Sequence, residues 1–412
     1  MSTLLSIPLE IRLLIYGYFL SEHKDRIVHN NQPTNAHIAL LHSCRQVEHE
    51  AGDLAGFRAY LSLRHEREIS AFLATAEADE HAASRITHID VANDGRLVQH
   101  PKSEDRVSDV FNACSSFPPA TWVEAPVSDL HRVLEKLPSL VTLRVFDCHR
   151  TRALYEFVSG ARFVWSFETA MFPGRRHGIS SYEYYISPST KTVALHSVSG
   201  ESIRRLRLTG FIRLDEPLEK CKNLQDLTIY AVTGNYFDQR PLAGMNGISL
   251  QSFEYDQGDK LGFEIQTEFL SSILSGSHSS LRRLVLLRCN KLLTAGLVSC
   301  LQSMTALEYF SLSFFTVNEL DADIVAALPL STHTLKLKIT HTLYTRPFIQ
   351  EELAMCETLK RRWLTHPVTP KLVYLHLPHV ISCPSDEEEW TLYASENGVQ
   401  LYLGDWTASE RI

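Results

Sequence analysis

One phrase, Leu-x-x-Leu-x-Leu, recurs along most of this 412-residue chain and constrains its fold more than any other feature. The clearest copy starts at Leu281 and places Leu284, Leu286 and Leu292 at repeated positions, with Cys289 in the slot before the last of them. The other copies are led by Ile86, Leu140, Ile203, Leu224, Leu250, Leu307, Thr332 and Leu372. Subtraction gives spacings of 21, 26, 31, 26 and 25 residues between consecutive leaders from Ile203 to Thr332. Such a nearly even spacing predicts a stack of similar structural units.

The phrase has a direct physical meaning in a short strand. Successive side chains point to opposite faces, so Leu284 and Leu286 share one face while Arg283, Val285 and Leu287 share the other. One unit cannot bury its apolar face alone, whereas stacked units form a continuous core. The phrase and its period are typical of leucine-rich repeats. We therefore predict an α/β fold, a leucine-rich-repeat solenoid in the form of a horseshoe with parallel strands on its concave face. The positions expected to be buried include Leu143, Leu206, Leu227, Leu284, Leu286 and Leu337.

The side chains that alternate with the leucines are predicted to form the binding surface. Basic and acidic residues alternate there with tyrosines interspersed, which suits a protein partner better than a uniformly negative polymer. The predicted partner-binding residues are Arg144, Arg205, Arg207, Tyr230, Glu254, Arg283, Tyr309, Lys336 and Lys338. The partner is expected to be a protein whose identity this pattern does not reveal.

Composition narrows the class of protein. The formal net charge is −8, so no overall basic balance indicates a nucleic-acid partner. No apolar run approaches the roughly 18 residues that span a membrane, and the N-terminus lacks the pattern of a secretory signal. The eight cysteines include no Cys-x-x-Cys pair, which favours a reducing compartment. We expect a cytoplasmic or nuclear protein, or one found in both.

Common catalytic motifs are absent from the sequence. It contains no phosphate-binding GxxxxGK[ST] loop, no GxGxxG, no GxSxG elbow and no HExxH. The pairs His37/His42 and His376/His379 lack neighbouring cysteine or aspartate ligands that would complete a metal site. We therefore expect no catalytic residues, no cofactor and no metal. An enzyme with an unannounced site in residues 150–199 is a weaker alternative.

Residues 1–56 do not follow the repeat and are predicted to form a small helical head. Two apolar stripes run along the first predicted helix at helical spacing. One consists of Ile11, Leu14, Ile15, Tyr18 and Phe19, and the other of Leu9, Leu13, Tyr16 and Leu20. Two apolar faces on one short helix predict burial on both sides, one of them against the solenoid or a partner protein. Asn35 is predicted to cap a second helix that carries Cys44 and Val47 on one face.

The head carries a family resemblance. The segment from Ile7-Pro8-Leu9-Glu10-Ile11 to Leu20 resembles the opening of the F-box, and Cys44-Arg45-Gln46 resembles the Cys-Arg segment of its later helix. The pair is similar to the short F-box-like heads of many fungal proteins. The resemblance implies docking on a Skp-type adaptor, with leucine-rich repeats that hold the protein to be ubiquitinated. The chain would then be a substrate receptor of an SCF-type cullin–RING ubiquitin ligase.

The resemblance also implies which residues contact the adaptor. They are Ile7, Pro8, Leu9, Leu13, Tyr16, Leu20, Cys44 and Arg45. The alternative is a head that only caps the solenoid, because end repeats need their open edges covered. In that case the chain would be a non-catalytic interaction scaffold with no ubiquitin-ligase role.

The predicted organisation is a head over residues 1–56 and a degenerate repeat domain over residues 57–412. Irregular insertions are expected near 95–128, 150–199 and 341–368. The second insertion is rich in aromatic residues, which fit either degenerate repeats with a core or a loop beside the binding surface. The third contains Lys360-Arg361-Arg362, a pattern typical of a solvated helix face or, alternatively, of a nuclear signal.

Overall fold

The computed structural model describes residues 4–25, 35–52, 54, 56–63, 66–93, 130–147, 178–186, 191–195, 198–214, 217–233, 237, 245–258, 262–314, 319–340, 348–365, 370–377, 379–381 and 384–406. The chain forms two compact units. Unit 1 is Met1–Ile203 with Phe211–Glu216, and unit 2 is Arg204–Gly210 with Pro217–Ile412. The predicted boundary at residue 56 falls inside unit 1 and stays a prediction.

Unit 1 begins with three helices, α1 (Leu9–Asp25), α2 (Ala36–Leu41) and α3 (Arg45–Gly52). They enclose a small core of buried side chains, to which α1 contributes Tyr16 and Leu20 and α3 contributes Val47 and Ala51. The single helix predicted from Asn35 onward is wrong, because the chain turns at residues 42–44 and separates α2 from α3. The side chain of Asn35 makes no cap hydrogen bond to α2.

The strands of unit 1 follow the head. They are β1 (Tyr60–Leu63), β2 (His88–Asn93), β3 (Thr142–Asp147), β4 (Ser181–Tyr185) and β5 (Lys191–Ala194). The helices between them are α4 (Glu66–Ala78), α5 (Glu80–Ser84) and α6 (Leu130–Glu135). Strands β1 to β4 pair in chain order and in parallel, so that Leu61, Ile89, Leu143 and Tyr182 form one row across the sheet. Strand β5 pairs in parallel with residues 211–214 of β6 (Arg205–Leu214).

Unit 2 contains the first half of β6 and seven further strands. They are β7 (Asp226–Val232), β8 (Ser252–Asp256), β9 (Arg283–Cys289), β10 (Tyr309–Phe314), β11 (Thr334–Ile339), β12 (Leu372–His376) and β13 (Gln400–Leu403). Its helices are α7 (Thr267–Leu274), α8 (Thr294–Ser303), α9 (Asp323–Ala326), α10 (Ile349–Thr365) and α11 (Pro384–Glu396). From β6 to β13 each strand pairs in parallel with the next one in the chain.

Parallel strands in chain order with one buried row per repeat position confirm a leucine-rich-repeat solenoid fold. Leu284 and Leu286 point to the same face, and both are fully buried. The predicted core positions are all buried, namely Leu143, Leu206, Leu227, Leu284, Leu286 and Leu337. Burying a leucine side chain contributes about 1.5–3 kcal/mol, so each buried leucine of these rows stabilises its unit.

Two repeats differ from the predicted pattern. Leu372 pairs with Thr334 in an outward row, so the last copy is led by Pro370 and buries Val373 and Leu375 instead. The predicted leader was wrong because Leu372, Leu375 and Leu377 match the phrase two residues out of phase. A copy was also missed at Ile179, whose strand buries Tyr182 and Tyr184 in place of leucines.

The predicted insertions are partly described. Residues 95–128 and the stretch 150–177, with Phe157, Phe163, Trp165, Phe167 and Phe172, lie outside the described residues. In the third insertion, residues 349–365 form the regular helix α10. Arg362 on this helix is buried, and its guanidinium donates to the carbonyl oxygens of Leu328 at 2.7 Å and Pro329 at 2.6 Å. The basic triplet is therefore not a uniformly solvated face.

Candidate functional site

Helix α1 presents an apolar face to solvent. Ile11, Leu14, Ile15 and Tyr18 lie at helical spacing with 46%, 59%, 39% and 75% of their surface exposed. Soluble monomers rarely leave a contiguous apolar stripe exposed unless it is an interface. This α1 face, defined by these four residues, is the first candidate site.

The structure covers most of the stripe that was predicted to contact the adaptor. Tyr16 and Leu20, predicted to contact the adaptor, are buried in the core of the head, and Leu13 is packed against that core. Cys44 is half-buried against the same core, whereas Ile7 is half-buried and Pro8, Leu9 and Arg45 are accessible. The stripe that faces solvent is instead the α1 face. Sequence spacing revealed both stripes, but it could not show which one the short α2 and α3 helices would cover.

An ion pair fixes α1 against α3. Arg12 donates to both carboxylate oxygens of Glu50, at 2.8 and 2.5 Å, and Tyr16 adds a hydroxyl hydrogen bond of 3.2 Å to the same group. Arg12 also donates to the carbonyl oxygens of Leu5 and Ile7, so it ties the segment before α1 to the helix pair. The hydrogen bonds from Arg12 lower the pKa of Glu50 from 4.5 to about 2. The helix that carries the α1 face is thus held in place by the contacts of Arg12 and Tyr16 with Glu50.

The start of α2 attaches the head to the first strand. The amide side chain of Asn35 donates to the carbonyl oxygen of Ser62 at 2.7 Å and accepts from its N–H at 2.8 Å. The ring nitrogen Nε2 of His37 lies 3.0 Å from the carbonyl oxygen of Tyr60. Edge strands carry backbone groups that need partners, and these contacts supply them for β1. The predicted capping role of the head therefore has a physical basis in unit 1.

The outward face of unit 1 contains a buried ion pair between Arg144 and Asp90. Arg144 donates to Asp90 through Nε at 2.6 Å and Nη2 at 2.7 Å, and Tyr60 and His88 bond the same carboxylate. Burial alone would raise the pKa of Asp90, but the attraction and hydrogen bonds of Arg144 and His88 outweigh burial and lower it. Arg144 was predicted to contact a partner, but only 5% of its surface is exposed in the structure.

The outward face of unit 2 carries cations stacked on tyrosines. The guanidinium of Arg207 lies 5.1 Å from the ring centroid of Tyr230, and that of Arg283 lies 4.0 Å from the ring of Tyr309. The Nζ of Lys336 lies 4.3 Å from the ring of Tyr374. In each pair the cation and the tyrosine belong to neighbouring strands. The same arrangement thus recurs three times among the described strands of this unit.

The predicted partner-binding residues of unit 2 divide by accessibility. Arg205 is exposed, and Tyr230, Glu254, Arg283, Tyr309 and Lys338 are half-buried. Arg207 and Lys336 were also predicted to bind a partner, but both are buried. Their cationic groups lie over the rings of tyrosines on the neighbouring strands. Tyr374 is half-buried and Tyr402 is exposed, and the centroids of their two rings lie 4.6 Å apart. Neither was among the predicted partner-binding residues.

Histidine, cysteine, aspartate and glutamate side chains are the candidates for metal binding among the described residues. No three of their histidine, cysteine, aspartate and glutamate side chains are placed to hold a metal ion. His379, one of the paired histidines of the sequence, bonds the buried carboxylate of Glu352 at 3.1 Å. Burial raises the pKa of Cys300 to about 11, and that of Cys356 to about 12, so neither thiol is activated as a nucleophile.

Comparison with known proteins adds only a loose likeness. No protein-family model matches the sequence, and no curated protein matches it. The chain is similar to the leucine-rich repeat-containing protein LegL7 from Legionella pneumophila, at 13% identity over 84% of this chain and 90% of that one, with a TM-score of 0.34. It is also similar to the Rad7 and Elc1 complex in yeast, at 12% identity over 89% of this chain and 88% of that one, with a TM-score of 0.33. The fold assignment rests on the strand registers and buried rows described above.

The described strands form a leucine-rich-repeat fold with two candidate surfaces for protein contacts. The first is the α1 face in unit 1, and the second is the outward sheet face of unit 2. None of the described helices is long and apolar enough to cross a membrane.

Proposed function

We propose that the protein is a substrate receptor of an SCF-type cullin–RING ubiquitin ligase. The α1 face would dock on a Skp-type adaptor, and the outward face of unit 2 would hold the protein to be ubiquitinated. The observation that carries this proposal is the exposed apolar stripe of α1, which lies within the segment that resembles an F-box opening.

The energetics of the head favour an interface on α1. Leu14 and Tyr18 leave most of their apolar surface in water, and burying it against a partner would contribute about 25 cal/mol for each Å². The Arg12–Glu50 pair already fixes the helix, so little ordering would accompany binding. A rigid, apolar and convex helix face is suited to a groove on another protein.

In this role the protein needs no catalytic residue of its own. Holding a substrate near the charged ubiquitin-conjugating enzyme raises the effective concentration of its lysines. The absence of common catalytic motifs from the sequence is consistent with that division of labour. We expect the isolated protein to show no ubiquitin-transfer activity.

A second candidate function is an interaction scaffold whose head is only a cap. The hydrogen bonds of Asn35 to Ser62 and the contact of His37 with Tyr60 favour it. These capping contacts come from the start of α2, whereas the exposed stripe lies on α1. The head can therefore cap β1 and still present the α1 face, so capping does not compete with adaptor docking.

Co-purification of a Skp-type adaptor tests the proposed function. The double variant Leu14→Asp/Tyr18→Asp should abolish co-purification, because two carboxylates would be buried in an apolar interface. Both side chains are exposed in the free protein, so its thermal unfolding should change little.

Leu364→Asp on α10 is a matched control, because that leucine is also exposed and lies far along the chain in unit 2. The control should retain the adaptor. Failure of the wild-type protein to bind any Skp-type adaptor would reject the ubiquitin-ligase role and leave the scaffold.

A further inference from the structure

Strands β9 to β13 of unit 2 carry an ordered group of aromatic rings on their outward face. Lys336, Tyr374 and Tyr402 occupy one row of the sheet. The rings of Tyr374 and Tyr402 are nearly parallel, with an interplanar angle of 11°. Arg283 lies on the ring of Tyr309 and is held from the other side by Glu254 at 2.5 Å. We define the β9–β13 surface as Arg283, Tyr309, Lys336, Lys338, Tyr374 and Tyr402.

The outward face of unit 2 carries paired charges of both signs. Its described ion pairs include Arg205 with Asp226, Arg283 with Glu254, Arg288 with Asp256 and Lys338 with Asp405. Three of these carboxylates lie on β7 and β8, whereas Asp405 follows β13. Lys338 is therefore a strand cation whose carboxylate partner comes from outside the strands, and a ligand carboxylate has the charge that complements Lys338 in the same place.

The chain itself shows what chemistry the β9–β13 surface accepts. After β13, Asp405 pairs with Lys338. The indole N–H of the next residue, Trp406, donates to the carbonyl oxygen of Leu337 at 3.3 Å, and its ring lies 5.9 Å from Lys336. An acidic residue followed by an aromatic one is thus docked on the two lysines of β11.

The rings of the surface are fixed before any ligand arrives. Tyr402 is 52% exposed, yet its ring is held against Tyr374, which is held in turn against Lys336. Rigid aromatic side chains lose little conformational entropy on binding and are frequent binding hot spots.

We propose that the β9–β13 surface binds an acidic peptide segment in which a carboxylate residue neighbours an aromatic one. The proposal deepens the proposed function and rests on it, because it names the kind of segment through which a recruited protein would be held. The ligand carboxylate would contact Lys338 in place of Asp405, and its aromatic ring would lie against Tyr374 and Tyr402.

Fluorescence anisotropy with three labelled peptides tests the proposal on the full-length protein. The peptides are of equal length and contain repeated Asp-Trp, Asn-Trp or Lys-Trp in the same background. The Asp-Trp peptide should bind most tightly, and its affinity should fall as ionic strength rises. Equal affinities for the Asp-Trp and Asn-Trp peptides would overturn the proposal.

Variants locate the binding surface. Lys338→Gln/Tyr402→Ala should weaken binding of the Asp-Trp peptide by at least about tenfold. Tyr402→Phe retains the stacked ring and should bind as wild type. Arg132→Gln removes an exposed cation of unit 1 that has no part in either candidate surface, and should leave affinity within about twofold. An unchanged affinity in the double variant would place the site elsewhere and reject the proposal.

Three further measurements make the outcome specific. Asp405→Asn releases Lys338, so it should bind the Asp-Trp peptide at least as tightly as wild type, and weaker binding would contradict the proposed contact. Tyr402→Ala alone should bind the Asp-Trp peptide more weakly than wild type while keeping the wild-type unfolding temperature. A lowered unfolding temperature would show that the weaker binding comes from loss of folding. Adaptor co-purification by Lys338→Gln/Tyr402→Ala should match wild type. Peptide binding without adaptor binding would reject the ligase role and support the peptide-binding role of the β9–β13 surface. Adaptor binding without peptide binding would support the ligase role and reject the peptide-binding role.

Discussion

At the scale of single residues, the charged side chains of the outward faces have two different roles. Arg205 and Arg144 occupy outward positions of parallel strands, yet the first is exposed and the second is enclosed with Asp90. A charge that is removed from water needs a well-bonded partner, and Asp90 accepts from Arg144, Tyr60 and His88. Arg144 is therefore a structural residue of unit 1.

Substitution of Arg144 should be much more costly than that of Arg205. Arg144→Met leaves the Asp90 carboxylate buried without its cation and should lower the free energy of unfolding by about 3–5 kcal/mol. Arg205→Met breaks an exposed pair with Asp226 and should change it by less than about 0.5 kcal/mol. Urea denaturation of the two variants checks this difference. Equal stabilities would show that the Asp90–Arg144 pair is not buried in solution.

The sequence predicts which strand face a residue occupies better than it predicts whether that face is covered. Alternation in β9 correctly placed Leu284 and Leu286 inward and Arg283 outward. The same alternation could not show that Arg207 and Lys336 would be buried, because their burial depends on tyrosines of the neighbouring strands. Those neighbours are set by strand register across repeats, which local spacing does not contain.

At the scale of elements, α1 illustrates the same limit. Its two apolar stripes were evident from helical spacing, but only packing against α2 and α3 decides that Tyr16 and Leu20 form the core. The break between α2 and α3 was missed because residues 42–44 contain neither glycine nor proline. Asn35 was expected to cap a helix, and its side chain instead bonds the backbone of β1. This partner, the backbone of Ser62, is distant in the sequence, so the residues around Asn35 could not predict the contact.

The contact between α1 and α3 should make the head sensitive to acid. The pKa of Glu50 is lowered in the folded protein to about 2, so its stabilising effect is fully present above 4.5. This contribution should be lost as pH falls from 4.5 towards 2, because the unfolded chain binds the proton more readily. Glu50→Gln should remove this part of the pH dependence. Amide hydrogen exchange in α1 and α3, measured as the pH is lowered, monitors the unfolding of the head.

Glu48→Gln on the same helix is the matched control, because it removes a carboxylate but keeps the Arg12–Glu50 pair. It should retain the acid transition of the wild-type head. An unchanged transition in Glu50→Gln, by contrast, would show that another group controls the response to acid.

At the scale of the whole molecule, repetition was the most reliable predictor. The leaders from Ile203 to Thr332 each precede a strand that pairs in parallel with the next repeat, since every unit must bury the same face. The copies that were missed or out of phase, at Ile179 and Pro370, have tyrosine or valine in leucine positions. Large apolar side chains other than leucine are buried at these positions, although the sequence no longer matches the Leu-x-x-Leu-x-Leu phrase. The proposed function depends instead on two surfaces, and repeat spacing does not specify either of them.

Hydrogen–deuterium exchange of the full-length protein, with and without a purified Skp-type adaptor, tests the central claim most directly. The account predicts that the adaptor slows amide exchange in α1, around Ile11 to Tyr18, and leaves the strands β9 to β13 unchanged. Helix α1 should respond because its exposed apolar face would become buried in the complex. No change in α1 at adaptor concentrations that saturate known receptors, or protection confined to the strands of unit 2, would contradict it.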